Sequence, residues 1–379
     1  MIDKIGSRIA RHAGNAAIRL LGNYGNRALF APRYGGYGVI FLMHRIIEEN
    51  HTTLAPDLAI PVGALDRALR FVKESGWEII SMDELHARLA NGWTGGRFAC
   101  FTFDDGYADN YTLALPVFRK HSAPFCVYMS PEALDRSMTY WWGQLEDLLQ
   151  RHDSIEVPIP SAEVIGRHLA DSVRACVRRG VLRLDTERGD AGGPDRYILK
   201  RLTIETLAQK RAAYNLLQCI WHKQDSSEHS FRDMLQTVFE KYDSLRQALQ
   251  DRDFINYEQA RSLAADPLVT IGAHGMTHQR LSGLDREAME LELQQSRQRL
   301  EDSLAVPVRH ISYPYGGADA CGSREFDAAR DLGFLTGVTT RSGNVLELDK
   351  EGAFCLPRRN LGWTIQDVNI CLCGSMSFL

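Results

Sequence analysis

The chain alternates short apolar runs with segments of helical spacing over most of its length, and this alternation most constrains its fold. Val39–Met43 and Phe125–Met129 are apolar runs, each suited to a strand buried on both faces. Within Val62–Ser75, by contrast, the apolar residues recur at helical spacing. Strands that alternate with helices indicate parallel βα units. The sequence therefore predicts an α/β fold built around a parallel, barrel-like sheet.

The alternation is interrupted between about 140 and 260, where the pattern becomes mostly helical. Strand-like runs resume at Val269–Ala273. We therefore expect a barrel-like domain over residues 37–379, interrupted by a mostly helical insertion at about 140–260. A basic N-terminal arm, residues 1–36, precedes this domain.

Charge is unevenly spread along a chain of ordinary globular composition. Residues 1–36 carry six Lys or Arg side chains and one Asp, whereas the whole chain has a net charge of −4. Ile and Leu are interspersed among the basic residues, so the arm is suited to a basic amphipathic helix on an anionic membrane surface. A surface helix packed on the main domain, a frayed arm and a transit peptide are the alternatives. The near-neutral chain offers no basic surface for nucleic acid.

The first residues and the cysteines bear on location. The chain has no apolar run long enough to span a bilayer as a helix. The apolar core of a secretory signal is also missing, because charged and polar residues break the first segment. Eight Cys without a CxxC pair are typical of buried thiols in a reducing compartment. We therefore expect a cytoplasmic protein, peripheral at the inner face of the membrane if the arm binds lipid; the oligomeric state stays open.

Two adjacent carboxylates, Asp104 and Asp105, follow the strand predicted at Arg97–Phe103 and precede Gly106. Catalytic groups collect at the carboxyl ends of strands in parallel α/β folds. Adjacent side chains at a strand end point in different directions, so one carboxylate can bind a cation while the other accepts a proton. A helix N-cap beside a solvated turn carboxylate is the alternative interpretation.

His274 and His278 follow the strand predicted at Val269–Ala273. On a helical turn, histidines at positions i and i+4 face the same way and can reach one metal ion. A catalytic zinc site has three protein ligands and keeps one position for water. Asp105 and the two histidines would supply such a set.

A turn with two tyrosines, Ile311–Gly317, follows a third predicted strand. Pro314 has a fixed φ and Gly316 permits a sharp turn, so backbone N–H groups in this segment can point outward. Tyr313 and Tyr315 are suited to a platform for a sugar ring.

Three ordered motifs, T-F-D-D-G-Y, H-x-x-x-H and P-Y-G, resemble those of the polysaccharide deacetylase family, the NodB-type chitooligosaccharide deacetylases of carbohydrate esterase family four. The similarity covers about residues 38–139 and 255–360. It implies a distorted (β/α)7 barrel with a helical insertion. It also implies a metal-dependent hydrolysis that removes acetyl groups from a sugar.

The resemblance implies roles for individual residues. Asp104 corresponds to the catalytic base, and Asp105, His274 and His278 correspond to the ligands of one divalent metal ion. The backbone N–H of Tyr315 corresponds to a donor to the oxyanion. Zinc is the expected ion for an Asp/His/His set, and Co, Ni or Mn could serve.

The sequence departs from the family pattern at two places. Ser312 stands where the family often has an Arg that orients the base, and no His follows His310 to match the family's late His, which protonates the leaving amine. His44, at the end of the first predicted strand, is a candidate active-site residue and a candidate for this acid. Arg358 or Arg359 is a candidate to replace the orienting Arg; an ordinary ion pair is the alternative.

Further residues are candidates for contact with the substrate. Exposed Trp rings stack on sugars, although large aromatic residues more often belong to a core. The helices of the insertion are expected to pack on the barrel, with a lid or a partner surface as the alternative. The candidate substrate contacts are Tyr107, Trp141, Trp142, Tyr313, Pro314, Arg358 and Arg359.

The leading hypothesis is a metal-dependent enzyme that removes N-acetyl groups from N-acetylhexosamine units of a bacterial surface polysaccharide or its precursor. An esterase for O-acetyl groups is one alternative. A catalytically weakened homologue that only binds glycans is a second, and a membrane-associated scaffold acting through the basic arm is a third. The sequence leaves open which polymer is bound, its chain length and the role of the insertion.

Overall fold

The computed structural model describes residues 35–92, 95–138, 140–160, 183–185, 197–224, 229–243, 246–347 and 352–374. The predicted basic arm therefore lies outside the described residues, apart from Gly35 and Gly36. The chain forms two compact units. The first comprises the described residues of Met1–His51, Leu58–Asp135 and Asp253–Leu379. The second comprises those of Thr52–Asp57 and Arg136–Arg252.

The strands are numbered in chain order. They are β1 (Gly38–Met43), β2 (Arg45–Ile47), β3 (Ala59–Pro61), β4 (Glu78–Ile79), β5 (Phe98–Phe103), β6 (Phe125–Met129), β7 (Ser154–Pro160), β8 (Arg183–Asp185), β9 (Tyr197–Thr203), β10 (Val269–Ala273), β11 (His310–Ser312), β12 (Thr336–Ser342) and β13 (Leu356–Asn360).

The α-helices are numbered in the same way. They are α1 (Val62–Glu74), α2 (Met82–Asn91), α3 (Leu115–Lys120), α4 (Pro131–Leu134), α5 (Trp141–Arg151), α6 (Leu207–Gln224), α7 (His229–Lys241), α8 (Arg246–Asp253), α9 (Tyr257–Ala264), α10 (Arg286–Leu304), α11 (Ser323–Asp331) and α12 (Ile365–Cys373). A π-helix, Asn110–Ala114, runs directly into α3.

Seven parallel strands of the first unit close into a barrel. Their order is β1, β13, β12, β11, β10, β6 and β5, and pairing of β1 with β5 closes the ring. All residues of β1 and β5 are buried, because these strands have apolar neighbours on both faces. The short strand β4 pairs with the start of β5 outside the ring. The predicted distorted (β/α)7 barrel is therefore confirmed.

The helices of the first unit cover the barrel through apolar stripes. On α1, for example, Leu65, Leu69 and Val72 recur at helical spacing and are fully buried. Burying each of these side chains contributes about 1.5–3 kcal/mol. Among the described residues, the structure has no helix with the length and apolarity needed to cross a membrane.

One barrel strand, β13, was absent from the sequence prediction. It contains Pro357, Arg358 and Arg359, which are unusual in a buried strand. Both arginines are nonetheless almost fully buried, because polar groups of neighbouring strands accept their hydrogen bonds.

The second unit contains a small sheet in addition to helices. Strand β9 pairs antiparallel with β7 on one side and with β8 on the other. The sequence pattern of this region predicts mostly helices and does not reveal the sheet, because Pro158 and Pro160 break the strand pattern of β7. Helices α5 to α8 make up the rest of the described unit, whose core includes the fully buried Trp221.

Replacing Phe118 tests the packing of α3 on the barrel. Phe118 is fully buried, and its ring centroid lies 4.2 Å from that of Phe125 and 5.7 Å from that of Phe101. We expect Phe118→Ala to lower the free energy of unfolding by about 3–5 kcal/mol, measured by urea denaturation. Leu291→Ala is the control, because Leu291 is 50% exposed and should change that value by at most about 0.5 kcal/mol. Equal effects of the two changes would contradict this packing.

Candidate functional site

Four of the predicted site residues follow strands of the barrel at one of its mouths. His44 follows β1, Asp104 and Asp105 follow β5, and His274 follows β10. Because these strands are parallel, their carboxyl ends meet at the same edge. The two Asp side chains and His274 are buried, whereas His44 is partly exposed.

A strained turn sets the direction of Asp105. Its φ is +73° and that of the following Gly106 is +68°, so both residues lie in the left-handed region. For an Asp this conformation costs about 1 kcal/mol or more, and such strain concentrates at functional sites. The turn brings Asp105 Oδ1 to 3.3 Å from Nε2 of His278 and 3.4 Å from Nε2 of His274.

The histidine pair is brought together by a loop. The prediction that a helical turn aligns these residues is wrong, since the segment after β10 is not helical. Instead Gly275 and His278 adopt left-handed φ values of +70° and +56°. Glu292 fixes the loop by accepting hydrogen bonds from the backbone N–H and the hydroxyl of Thr277, at 2.6 and 2.9 Å.

Asp105, His274 and His278 can hold a divalent metal ion. Their ligand atoms lie within 4.8 Å of one another, and all three side chains are buried. The backbone carbonyl of Ser312 lies 2.8 Å from Nδ1 of His274. A carbonyl only accepts, so Nδ1 carries a proton, and Nε2, which faces Asp105, is the nitrogen that would bind an ion once it is deprotonated. Two imidazole nitrogens and one carboxylate oxygen fit zinc and its neighbours in the first transition row.

The pKa of Asp105 reflects two opposing effects. Burial alone would raise it, but hydrogen bonds from His274 and His278 hold the pKa well below its usual range. The carboxylate is therefore ionised at neutral pH, which is the form that binds a cation.

Asp104 is held by an arginine on β13, which is separated from β5 by β1 alone in the ring. Arg358 on β13 donates from Nη1 to Asp104 Oδ1 at 2.8 Å and from Nη2 to Oδ2 at 2.6 Å. Ser312 on β11 donates to the same Oδ2 at 3.0 Å and accepts from Arg358 Nη2 at 2.9 Å. The guanidinium also donates to the Thr102 hydroxyl and to the Thr339 carbonyl. Arg358 thus ties β5, β11, β12 and β13 together around one carboxylate.

The pKa of Asp104 is lowered by this arrangement. Burial alone would raise it, but the positive charge of Arg358 and its hydrogen bonds keep the pKa below the usual value, with a further contribution from His274. Asp104 is therefore a buried, ionised carboxylate with a fixed orientation.

Of the two arginine candidates, only Arg358 contacts Asp104 within the described residues. Arg359 donates to the Asn344 side chain and to the Ser342 hydroxyl, each at 3.0 Å. Neighbouring side chains on a strand point to opposite faces, which separates the two guanidinium groups.

His44 lies close enough to this group to be influenced by its charges. Burial lowers the pKa of His44, while the carboxylates of Asp105 and Asp104 act to raise it. The sequence prediction that His44 belongs to the mouth of the barrel agrees with these interactions; its chemical role stays a prediction.

The Pro314–Gly316 turn has a fixed, strained backbone. Tyr315 and Gly316 have φ values of +64° and +58°. A Cβ on Gly316 would lie 2.6 Å from the backbone nitrogen of Thr340, so only glycine fits there. Thr340 in turn donates from its nitrogen to Gly316 O and from its hydroxyl to Tyr315 O. The partly exposed Tyr315 ring lies 5.0 Å from that of His278, which places this turn beside the proposed ligands.

Two of the predicted substrate contacts have buried rings. Tyr313 has no exposed surface, its hydroxyl donates to Phe354 O at 2.9 Å, and its ring packs on Phe326. Tyr107 is 3% exposed and stacks on Phe254 at 5.1 Å. Pro314 and Arg359 are also buried.

The tryptophan candidates belong to the second unit. Trp141 is 9% exposed, and its ring centroid lies 5.9 Å from that of Trp221. Its surface is therefore mostly used for packing within that unit. Trp142 is more exposed and stacks on Tyr140 at 4.6 Å. Contact of Trp142 with a substrate stays a prediction.

Two polar residues that follow the acidic turn, the fully buried Asn110 and the half-buried Asp109, were not predicted from the sequence. Asn110 donates to the backbone carbonyl of His44 at 2.8 Å, and Asp109 accepts from the backbone N–H of Ile46 at 2.8 Å. The sequence carries a weak signal for them, namely a second polar pair five residues after the first.

Comparison with known proteins gives several matches to polysaccharide deacetylases. The family model for polysaccharide deacetylases matches residues 238–336, which include both histidines and Tyr315. YxkH of Bacillus subtilis strain 168, whose name assigns it by inference to the polysaccharide deacetylases, is 24% identical over 118 residues. These are 31% of this chain and 40% of the relative, so the match spans less than half of that protein.

Solved structures of deacetylases are similar to this chain at low sequence identity. A de-N-acetylase from Aggregatibacter actinomycetemcomitans is 12% identical with a TM-score of 0.50, over 87% of this chain and 98% of that one. The deacetylase PplD from Streptococcus pyogenes, solved with acetate, is 15% identical with a TM-score of 0.45, over 85% and 91% of the two chains.

Removing Arg358 should leave an uncompensated charge in the barrel. We expect Arg358→Leu to lower the free energy of unfolding by about 3–5 kcal/mol, because the buried Asp104 carboxylate loses its partner. Adding Asp104→Asn should recover part of this loss, because the stranded charge is then gone. Urea denaturation in the presence of a chelator measures both variants without interference from bound metal.

The matched control is Arg359→Leu, which removes a similarly buried arginine whose hydrogen bonds to Asn344 and Ser342 do not involve Asp104. Here the addition of Asp104→Asn should bring no recovery. Equal recovery in the two backgrounds would show that Asp104 does not depend on Arg358.

Proposed function

The chain belongs to the polysaccharide deacetylase family, and we propose that it is a metal-dependent hydrolase that removes N-acetyl groups from N-acetylhexosamine units of a bacterial surface polysaccharide or its precursor. The observation that carries the proposal is the pairing of an Arg358-bound Asp104 with the Asp105, His274 and His278 set at one mouth of the barrel. The carboxylate of Asp104 is available as a base, and that of Asp105 belongs to the ligand set.

In the proposed reaction, Asp105, His274 and His278 bind the divalent ion. Zinc is the proposed ion, with Co, Ni and Mn as alternatives. When bound, such an ion lowers the pKa of a coordinated water and polarises the acetyl carbonyl. The protonated Nδ1 of His274 keeps its ring fixed against the Ser312 carbonyl.

Asp104 is proposed as the base that accepts the proton of the attacking water. Its low pKa keeps it ionised, and a carboxylate offers about four lone-pair positions. Arg358 and Ser312 occupy three of these positions. The remaining position, on Oδ1, is enough to accept one proton.

The backbone N–H of Tyr315 is proposed as a donor to the developing oxyanion. The strained turn fixes this peptide group before any substrate binds, so no reorganisation is needed during the reaction. His44, partly exposed at the same mouth, is proposed to protonate the leaving amine.

Metal content tests the ligand set. We expect purified protein reconstituted with zinc to hold about one ion per chain, measured by mass spectrometry after desalting. Asp105→Ala and His274→Ala should each abolish this binding. His121→Ala is the control, because His121 pairs with Asp66 and should leave the metal content unchanged. Retention of one ion by the Asp105 and His274 variants would contradict the assignment.

Acetate release tests the activity itself. The zinc-loaded protein should release acetate from N-acetylglucosamine oligomers, and Asp104→Asn should lower that rate by about 10²–10⁴-fold because the general base is lost. Faster release from acetylated xylan would favour the O-acetyl esterase. Binding of oligomers without release, whatever metal is added, would favour the glycan-binding homologue.

Location and membrane contact stay predictions. We propose a cytoplasmic protein whose residues 1–36 contact anionic lipid; those residues lie almost entirely outside the described part of the chain. Loss of binding to anionic liposomes on deletion of residues 1–36 would support this contact.

A further inference from the structure

A partly buried polar cluster holds the backbone on which His44 lies. Strand β1 ends at Met43 and β2 begins at Arg45, so His44 is the single residue between strands of two different sheets. Nothing in a sheet ladder fixes the carbonyl of such a linking residue. Here the side chain of Asn110 does so, by donating from Nδ2 to His44 O at 2.8 Å.

The same cluster fixes the peptide group that follows. Asp109 Oδ1 accepts from the backbone N–H of Ile46 at 2.8 Å and from Asn110 Nδ2 at 3.0 Å. Asp109 Oδ2 accepts from Nε of Arg45 at 3.2 Å. Backbone groups on both sides of Arg45 are thus bonded to two neighbouring side chains that follow the acidic turn.

Asn110 reaches His44 from an unusual backbone. It begins the π-helix Asn110–Ala114, a rare form found mostly as short segments and often at functional sites. The π-helix starts five residues after Asp105, so the chain that carries a proposed ligand also carries Asn110. The β1 and β5 segments are thereby linked at the mouth of the barrel by side chains in addition to their ladder.

Stability alone does not explain Asn110. The residue is fully buried, and its Oδ1 has no hydrogen-bond partner among the described residues. An unsatisfied buried oxygen costs about 1–3 kcal/mol, which offsets part of the stabilisation from the hydrogen bond to His44 O. Asp109 beside it is also costly to bury, since burial raises the pKa of its carboxyl to about 6. Buried polar groups that lower stability in this way indicate a role in function.

We infer that Asn110 is a positioning residue, which holds the His44 backbone so that the imidazole lies beside Asp104 and Asp105. The inference rests on the proposed function, in which His44 protonates the leaving amine. Asn110 does not touch the reacting atoms; it acts through His44.

Substrates with different leaving groups distinguish a positioning role of Asn110 from a purely structural one. An amine leaves only after it is protonated, whereas the phenolate of an aryl acetate leaves without an acid. Asn110→Leu should therefore lower kcat for an N-acetylglucosamine oligomer by about 10–100-fold, part of the usual contribution of an acid, and change the rate with 4-nitrophenyl acetate by less than about threefold. The measured quantity is the ratio of the two rates.

Asn344→Leu is the matched control. Asn344 is 3% exposed, and its Nδ2 also donates to backbone carbonyls, those of Gly35 and Cys371. Both variants should lower the melting temperature, but only Asn110→Leu should change the ratio of amide to ester rates. If Asn110→Leu does not fold, Asn110→Ser provides the same test, because its shorter side chain does not reach His44 O.

A double-mutant cycle and a metal-free measurement complete the test. His44→Ala should change the rate ratio, and Asn110→Leu should add nothing in that background. In metal-free protein, the imidazole NMR signals of His44 should shift or broaden in Asn110→Leu and not in Asn344→Leu. A wild-type ratio in Asn110→Leu, together with a changed ratio in His44→Ala, would overturn the inference while the proposed function stands. Absence of acetate release by the wild type, with the NMR effect present, would overturn the function and leave the link between Asn110 and His44 supported.

Discussion

The bidentate pair between Arg358 and Asp104 is the interaction on which the site depends. A buried carboxylate without a partner would take up a proton, and Asp104 would then be unable to act as a base. Arg358 keeps it ionised and fixes both of its oxygens. The same guanidinium bonds groups on β5, β11 and β12, so the site and the closure of the barrel rely on one side chain. Breaking such a pair costs about 3–5 kcal/mol, which is a large share of a domain's stability.

Strained backbone supplies the second constraint. Asp105, His278 and Tyr315 all have positive φ, and all three lie around the proposed metal site. Each turn is fixed by neighbours, such as Glu292 under the histidine loop and Thr340 under the tyrosine turn. The barrel therefore holds these groups in place before any ligand binds, which reduces the reorganisation required for binding.

Much of the fold was readable from apolar periodicity, and the rest depends on tertiary contacts. Strands β1, β5 and β6 are continuous apolar runs and were predicted, whereas β13 contains Pro357 and two arginines and was not. Its arginines are buried only because residues of other strands accept their hydrogen bonds. The choice of Arg358 over Arg359 follows from the register of β13 against β12, which includes an irregularity between Val338 and Ser342. The local sequence of β13 does not predict that register.

The central claim is that Asp105, His274 and His278 bind the ion while Asp104 stays free of it and bound to Arg358. Anomalous diffraction at the zinc edge from zinc-soaked crystals tests this claim most directly. We expect one strong peak about 2.0–2.2 Å from Nε2 of both histidines and from a carboxylate oxygen of Asp105. A peak bound to Asp104 in place of Asp105, or no peak at this mouth of the barrel at saturating zinc, would contradict it.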